Sequence, residues 1–175
     1  MIIGIAGYHS SGKSDLSEFF VNNYSWRHVV KRELLREWSS IDNNEEVFTE
    51  WYRDLYHNMG SYEIMHHLLR LMKYDRNSKD VVLLDAIHTP DEWKAVLEIE
   101  PEALLVSVVV PKKCRLSRST PEDMALDIKR ERFWHSHQTC LLAQVEWSFS
   151  GVASEALRAL EADALVDHLK SSGRI

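Results

Sequence analysis

Eight residues near the start of the chain have the types and spacing needed to bind phosphate. The run Gly7-Tyr8-His9-Ser10-Ser11-Gly12-Lys13-Ser14 fits the pattern G-x-x-x-x-G-K-[ST]. Its glycines would let the backbone turn tightly, and the amides of residues 10–14 would point at the β-phosphate from the start of a helix. Lys13 would bridge the β- and γ-phosphates, and the Ser14 hydroxyl would bind Mg²⁺.

The residues on both sides of this run decide between a phosphate loop and an ordinary Gly/Ser turn. An apolar strand candidate, Ile2 to Ala6, leads into Gly7, and a helix candidate, Ser14 to Asn22, follows Gly12. Because a phosphate loop joins a buried strand to a helix, this context favours nucleotide binding over the plain turn.

A phosphate loop also requires a carboxylate on the metal side, and Asp85 is the best candidate. It follows the apolar run Val81-Val82-Leu83-Leu84, which places it at the carboxyl edge of a sheet, where ligands bind in such folds. Asp85 would hold a Mg²⁺-bound water or act as a base on an acceptor hydroxyl; the alternative is a turn or helix-capping aspartate. His88 lies three residues further on and either faces the same site or is a solvated loop histidine.

The positions of the apolar runs predict an α/β fold. Strand candidates alternate with helix candidates, which indicates a parallel sheet of about five strands with helices on both faces. The helical stretch from Asn44 to Lys73 is expected to break near Gly60-Ser61, and Thr89-Pro90-Asp91 is typical of a helix start. The further strand candidates are Ala103 to Val110 and two weaker runs expected at edges, His28 to Val30 and Gln144 to Phe149.

Composition excludes several classes of protein. The 175 residues fit one domain, and 21 Lys+Arg against 27 Asp+Glu give a net charge of −6, the wrong sign for a dedicated nucleic-acid or anionic-membrane binder. The first apolar run is too short for a signal peptide or membrane span, so we expect no membrane contact and a cytoplasmic location.

Beyond the phosphate loop, the chain resembles the nucleoside and nucleotide kinases of the P-loop class, a group that includes adenylate kinase and dephospho-CoA kinase. The resemblance covers most of the chain and is strongest for a dephospho-CoA kinase-like subgroup. It implies a three-layer P-loop fold, ATP and Mg²⁺ as cofactors, and a small-molecule phosphate acceptor. It also implies one domain, 1–175, with an acceptor-binding helical region at 31–75 and a lid-like region at 112–140. The segments that carry it are Ile3 to Ser14, Glu33 to Glu37, Leu83 to Glu92 and Leu104 to Arg118.

The resemblance also implies roles for individual residues. Arg36 stands where these kinases place an arginine that grips the acceptor's phosphate, with Arg32 and Lys31 as nearby alternatives for that role. His88 would share that side. Arg115, Arg118 and Arg130 would be lid arginines that close over the triphosphate, because guanidinium groups make planar, bidentate contacts with phosphate. Gly151 resembles the turn on which adenine rests. Solvated helix arginines paired with acids are the alternative for each of these cations.

Four residues depart from the group's pattern. Ser10 stands where many members have glycine, and Glu33 replaces an aspartate common in the subgroup. Ala86 and His88 replace a glycine and an arginine, which puts the identity of the acceptor in doubt. The sequence thus predicts an ATP-dependent kinase of a nucleotide-, nucleoside- or dephospho-CoA-like acceptor, with a nucleotide-binding module or plain NTPase as alternatives. The absence of an N-K-x-D element speaks against a GTP switch.

Overall fold

Five parallel strands form the sheet of the protein, in a computed structural model that describes residues 1–41, 44–121 and 135–175. The strands are β1 (Ile2–Ala6), β2 (Arg27–Val30), β3 (Val82–Ile87), β4 (Leu104–Val109) and β5 (Trp147–Ser150). Their order across the sheet is β2-β3-β1-β4-β5, and every neighbouring pair is parallel. The sheet confirms the predicted number of strands and their direction.

Helices follow the strands along the chain, as expected for parallel strands that must be joined by crossovers. In the described residues they are α1 (Lys13–Tyr24), α2 (Lys31–Ser39), α3 (Glu45–Leu71), α4 (Pro90–Ile99), α5 (Lys112–Leu116), α6 (His135–Leu142) and α7 (Glu155–Ser171).

The two faces of the sheet are covered by different helices. On one face, Ile3, Leu83 and Leu104 pack with buried residues of α1 and α7, including Phe20 and Leu165. On the other face, the next residue of each strand packs against α3, α4 and α6, through side chains such as Met65, Trp93 and Leu141. The result is the three-layer arrangement predicted from the alternating pattern.

The strands at the two edges are those with the weaker sequence signals. β2 and β5 have only four residues each and mix buried with half-buried or exposed side chains. The central strand β1 is buried at all five positions. A strand covered on both faces needs a continuous apolar run, whereas an edge strand does not, so the difference in sequence reports position in the sheet.

β3 extends further than the sequence predicted. The apolar run was expected to end at Leu84, but the strand continues to Ile87 through a β-bulge. Asp85 is the partner of Ile5, and Ile87 is the partner of Ala6, so Ala86 is the extra residue, with a φ of 68°. A bulge disrupts the alternation of side chains, which is why the apolar pattern did not mark these residues as strand.

The long helix α3 is kinked where the sequence predicted a break. Gly60 has φ 79° and ψ 162°, a conformation that only glycine adopts readily, so the helix changes direction there. The next residue, Ser61, is buried, and its hydroxyl accepts a hydrogen bond from Thr89 Oγ1 over 3.0 Å. The kink therefore brings the second half of α3 against the start of α4.

A third apolar cluster joins α2 to α3 on the side of β2. It contains Leu35, Phe48, Ile64 and Leu68, with aromatic residues such as Trp38 packed around it. In the described part of the chain, no helix combines the length and apolar character that a membrane crossing needs.

Candidate active site

The phosphate-loop sequence forms the connection between β1 and α1, at the carboxyl edge of the sheet. Gly7 has φ 148° and Gly12 has φ 92°, and a Cβ on Gly7 would lie 2.9 Å from the carbonyl oxygen of Val108. Both glycines are therefore required by the backbone. Ser10 has φ 57°, a left-handed value that glycine adopts at lower cost. This conformation gives a physical reason for the glycine that many of the kinases the sequence resembles carry at this position.

Lys13 and Ser14 begin α1, so their side chains start at the positive end of the helix. The Lys13 ammonium donates to the carbonyl oxygens of Gly7 over 3.0 Å and Tyr8 over 2.9 Å, so it lies across the loop. Ser14 is exposed, whereas Ser11 is buried within the loop. An exposed hydroxyl at this position is available to a metal ion.

Asp85 lies on the strand next to the phosphate loop and is 7% exposed. Its neighbour in the sheet is Ile5 of β1, and alternation from Leu83 puts its side chain on the α1 face. Oδ2 is 3.7 Å from Nε2 of His28, whereas the buried Oδ1 has no hydrogen-bond partner in the described residues. A buried carboxylate oxygen without a donor is costly unless a ligand or water satisfies it.

These two side chains fit the magnesium ion implied by the phosphate loop. Mg²⁺ prefers oxygen ligands and retains several waters, and it is commonly held by one or two protein groups together with substrate phosphates. The exposed Ser14 hydroxyl and the unsatisfied Asp85 Oδ1 supply such oxygens at the same edge of the sheet.

Two of the predicted lid arginines contact the phosphate loop and the turn after β5. Arg115 is 3% exposed, donates to the carbonyl oxygen of His9 over 3.3 Å and lies 5.4 Å from the centre of the Tyr8 ring. Arg118 donates to the carbonyl oxygen of Gly151 over 3.0 Å. Arg115 and Arg118 thus lie against the phosphate loop and the turn after β5, whereas Arg130 falls outside the described residues.

Gly151 packs directly against the phosphate loop. A Cβ at this position would lie 2.2 Å from the carbonyl oxygen of Ser11 and 2.2 Å from a methyl carbon of Val110. No side chain fits there without moving the loop. The turn after β5 and the phosphate loop therefore form one surface, on which the predicted base site would lie.

Arg36 is engaged by side chains of α3. Its guanidinium forms an ion pair with Glu45 at the start of α3 and lies 4.4 Å from the centre of the Phe48 ring. Glu45 also pairs with Arg32 of the same helix. The resemblance predicted that Arg36 grips the phosphate of the acceptor, and this role stays a prediction.

His88 belongs to a buried cluster that sequence reasoning missed. The Lys31 ammonium, 4% exposed, lies 2.9 Å from Nδ1 of His88 and donates to Glu92 Oε1 over 2.9 Å. The other Glu92 oxygen accepts from the backbone N–H of His88 over 2.7 Å, and Glu92 is 1% exposed. The cluster ties the end of β2 to the connection between β3 and α4.

Tyrosines of α3 lie on the same side. Burial raises the pKa of Tyr52, and the negative charge of Glu92 raises it further. Burial also raises the pKa of Tyr56, which shares a hydrogen bond with Ser61. Both phenols stay protonated at neutral pH and are therefore neutral donors.

Two sequence signals could have indicated the buried cluster. Thr89-Pro90-Asp91-Glu92 has the spacing of a capping box, and Thr89 Oγ1 does accept from the N–H of Glu92 over 3.1 Å. Lys31 directly follows a strand, where a charged side chain is placed at the ligand edge. The pairing of Lys31 with Glu92, which lie 61 residues apart in the chain, was not visible in the sequence.

Comparisons with known proteins identify the fold. No protein-family model and no curated protein sequence matches the chain. Among solved structures it is similar to three shikimate kinases. The enzyme from Aquifex aeolicus is 15% identical, with a TM-score of 0.55 over 94% of this chain and 99% of that one. The Acinetobacter baumannii enzyme, solved with shikimate, is 11% identical, with 0.61 over 97% and 93%. The Bacteroides thetaiotaomicron enzyme is 12% identical, with 0.60 over 97% and 98%.

At these identities the likeness establishes only the fold, which the chain shares with these three kinases. It confirms the predicted fold class, and the similarity to P-loop kinases at the level of fold.

Proposed function

We propose that the chain is an ATP-dependent phosphotransferase that acts on the hydroxyl group of a small acceptor, within the nucleotide-, nucleoside- or dephospho-CoA-like range that the sequence suggested. One observation carries the proposal: the buried Asp85 carboxylate lies on the strand beside a complete phosphate loop, on the face of the sheet that α1 covers. The shikimate kinase structures support a small-molecule kinase, because they share this fold over nearly their whole length.

Each side chain would act by position and charge. The loop amides and Lys13 would hold the β- and γ-phosphates of ATP, and Arg115 and Arg118 would contribute positive charge from the segment after β4. Ser14 and Asp85 would hold the Mg²⁺ that accompanies ATP, an ion that neutralises charge on the phosphates.

Transfer itself would make one bond and break one. The acceptor oxygen forms a bond to the γ-phosphorus, and the bond from that phosphorus to the bridging β–γ oxygen breaks, which releases ADP. The hydroxyl proton passes to Asp85 or to solvent. Most of the rate increase would come from alignment of the two substrates and from fixed charges around the phosphates.

Replacement of Lys13 tests this function. We expect Lys13→Ala to lower acceptor-dependent ADP release by at least about a hundredfold, because it removes the charge that faces the transferred phosphate. The measurement is a coupled ADP assay with ATP, Mg²⁺ and a panel of hydroxyl acceptors, with circular dichroism to confirm folding.

Lys79→Ala is the matched control, since Lys79 is exposed and precedes β3 at the opposite edge of the sheet. Unchanged turnover in Lys13→Ala would refute the assignment. ADP release that does not depend on an acceptor would indicate a plain NTPase instead.

A further inference from the structure

His28 of β2 and Asp85 of β3 lie on the same face of the sheet. The register pairs His28 with Leu83 and Val30 with Asp85, and every second residue of a strand points to the same side. Leu83 packs on the face that α1 covers, so His28 and Asp85 share that face. The edge strand β2 therefore places a histidine beside the carboxylate that the phosphate loop requires.

The two side chains approach each other without forming a hydrogen bond. Nε2 of His28 is 3.7 Å from Oδ2 of Asp85, beyond the distance at which an N–H donates to a carboxylate. Nε2 of His28 and Oδ1 of Asp85 are both buried, and neither has a hydrogen-bond partner within the described ranges. Buried polar atoms without partners are costly, so each of these two atoms needs a partner nearby.

The imidazole of His28 favours the carboxylate when it donates from Nε2. With a proton on Nε2, the ring offers an N–H to Oδ2 of Asp85. With a proton on Nδ1 alone, it would place a lone pair of Nε2 against a negatively charged oxygen. The neutral ring with its proton on Nε2 and the fully protonated ring both donate from this atom, so the donor is present in either charge state.

A small rotation of the Asp85 carboxylate closes the gap. The terminal torsion of an aspartate is soft, and Oδ2 needs to move by about 0.5–1 Å to come within hydrogen-bond distance of Nε2. This hydrogen bond would hold Oδ2 and leave the unsatisfied Oδ1 for Mg²⁺ or for a water bound to it. One carboxylate oxygen would then serve the protein and the other the metal ion.

The other basic side chains around the end of β2 have different partners. Arg27 donates to the carbonyl oxygen of Met72 over 3.0 Å. Lys31 pairs with Glu92 of α4, a helix that covers the opposite face of the sheet. Of the three basic residues in the segment 27–31, His28 is the one that faces Asp85.

We propose that His28 is a positioning residue, which orients the Asp85 carboxylate toward the magnesium ion of the bound nucleotide. This role rests on the proposed kinase function, and in particular on its magnesium-nucleotide site. Loss of a hydrogen-bonding partner of a metal-binding carboxylate typically costs a factor of about 10–100 in metal affinity or activity. Sequence reasoning missed His28, because its place beside Asp85 depends on the pairing of β2 with β3.

Metal binding tests this role independently of catalysis. Mn²⁺ replaces Mg²⁺, and its affinity for the complex of the protein with ADP is measured by electron paramagnetic resonance. We expect His28→Leu, which removes the donor, to weaken Mn²⁺ binding at least about tenfold. His28→Gln, whose amide N–H can take the place of the Nε2 donor, should recover most of the lost affinity. His168→Leu is the matched control, since His168 is exposed and stacks on Trp147 at the start of β5, and it should bind Mn²⁺ as the parent protein does.

The affinity for ADP in EDTA separates positioning from a structural role. It should be equal in the parent protein and in His28→Leu, because Asp85 acts on the nucleotide through the metal. Loss of ADP affinity in EDTA, or a His28→Gln variant as weak in Mn²⁺ binding as His28→Leu, would overturn the role of His28. Unchanged Mn²⁺ affinity in folded His28→Leu would overturn it too, while phosphoryl transfer to an acceptor would still support the kinase. A parent protein that binds no Mn²⁺ with ADP would refute the magnesium site and the proposed function together.

Nitrogen-15 NMR of the parent protein with ADP and Mg²⁺ gives a test that does not depend on a folded leucine variant. The ring signals of His28 are assigned by their absence from the spectrum of His28→Gln. We expect a proton on Nε2 of His28, because that atom must donate to Asp85. A ring protonated on Nδ1 alone would overturn the role of His28.

Discussion

Ala86 and Ser10 adopt left-handed backbone conformations that cost an L-residue more than glycine. Their φ angles are 68° and 57°. Both positions depart from the kinase pattern that the sequence resembles, which has glycine in many members at position 10 and usually in the subgroup at position 86. From the sequence, the departure at Ala86 suggested only a changed acceptor. In the structure, Ala86 is the extra residue of the β-bulge, and its left-handed conformation turns the chain beside Asp85.

Replacing Ala86 by glycine should therefore stabilise the protein. We expect Ala86→Gly to raise the free energy of unfolding by about 1 kcal/mol, since relief of the left-handed strain exceeds the entropy that glycine adds to the unfolded chain. Urea denaturation measures the change. Ala95→Gly, in the regular helix α4, should instead lose about 1–2 kcal/mol, because glycine disfavours the helix and the variant also loses a buried methyl group. An Ala86→Gly variant that is no more stable than the parent protein would refute the claim that the backbone at Ala86 is strained.

At the scale of elements, local sequence signals predicted most of what was found. The continuous apolar run of β1 and the Thr89-Pro90 start of α4 were both correct, because each depends on neighbouring residues. The extension of β3 and the pair formed by Lys31 and Glu92 were missed. Both depend on contacts between segments far apart in the chain, which no local pattern reports.

The kink of α3 leads to a prediction at this scale. Gly60→Ala should destabilise the protein by about 1–3 kcal/mol, since a Cβ is strained at φ 79° and ψ 162° even though no atom lies within 4 Å of it. Met59→Ala, at an exposed neighbour, should change stability by less than about 0.5 kcal/mol. Thermal unfolding of both variants is the measurement. If Gly60→Ala were as stable as the parent protein, the helix would not need glycine at its kink and the prediction would be wrong.

At the scale of the whole molecule, the basic side chains of this acidic protein differ in the groups that they contact. With a net charge of −6, it places Arg115 against the backbone of the phosphate loop and Arg118 against the backbone of Gly151. The cations of α2 are instead compensated by Glu45 and Glu92. This difference in pairing depends on contacts between distant segments, which the sequence alone did not indicate.

The transfer of a labelled phosphoryl group tests phosphotransferase function most directly. The protein is incubated with Mg²⁺, ATP labelled in its γ-phosphate and the acceptor panel, and both products are measured. We predict equal amounts of ADP and labelled acceptor, with both lost in Lys13→Ala. ADP accompanied by labelled inorganic phosphate, with no labelled acceptor, would contradict the proposed phosphotransferase.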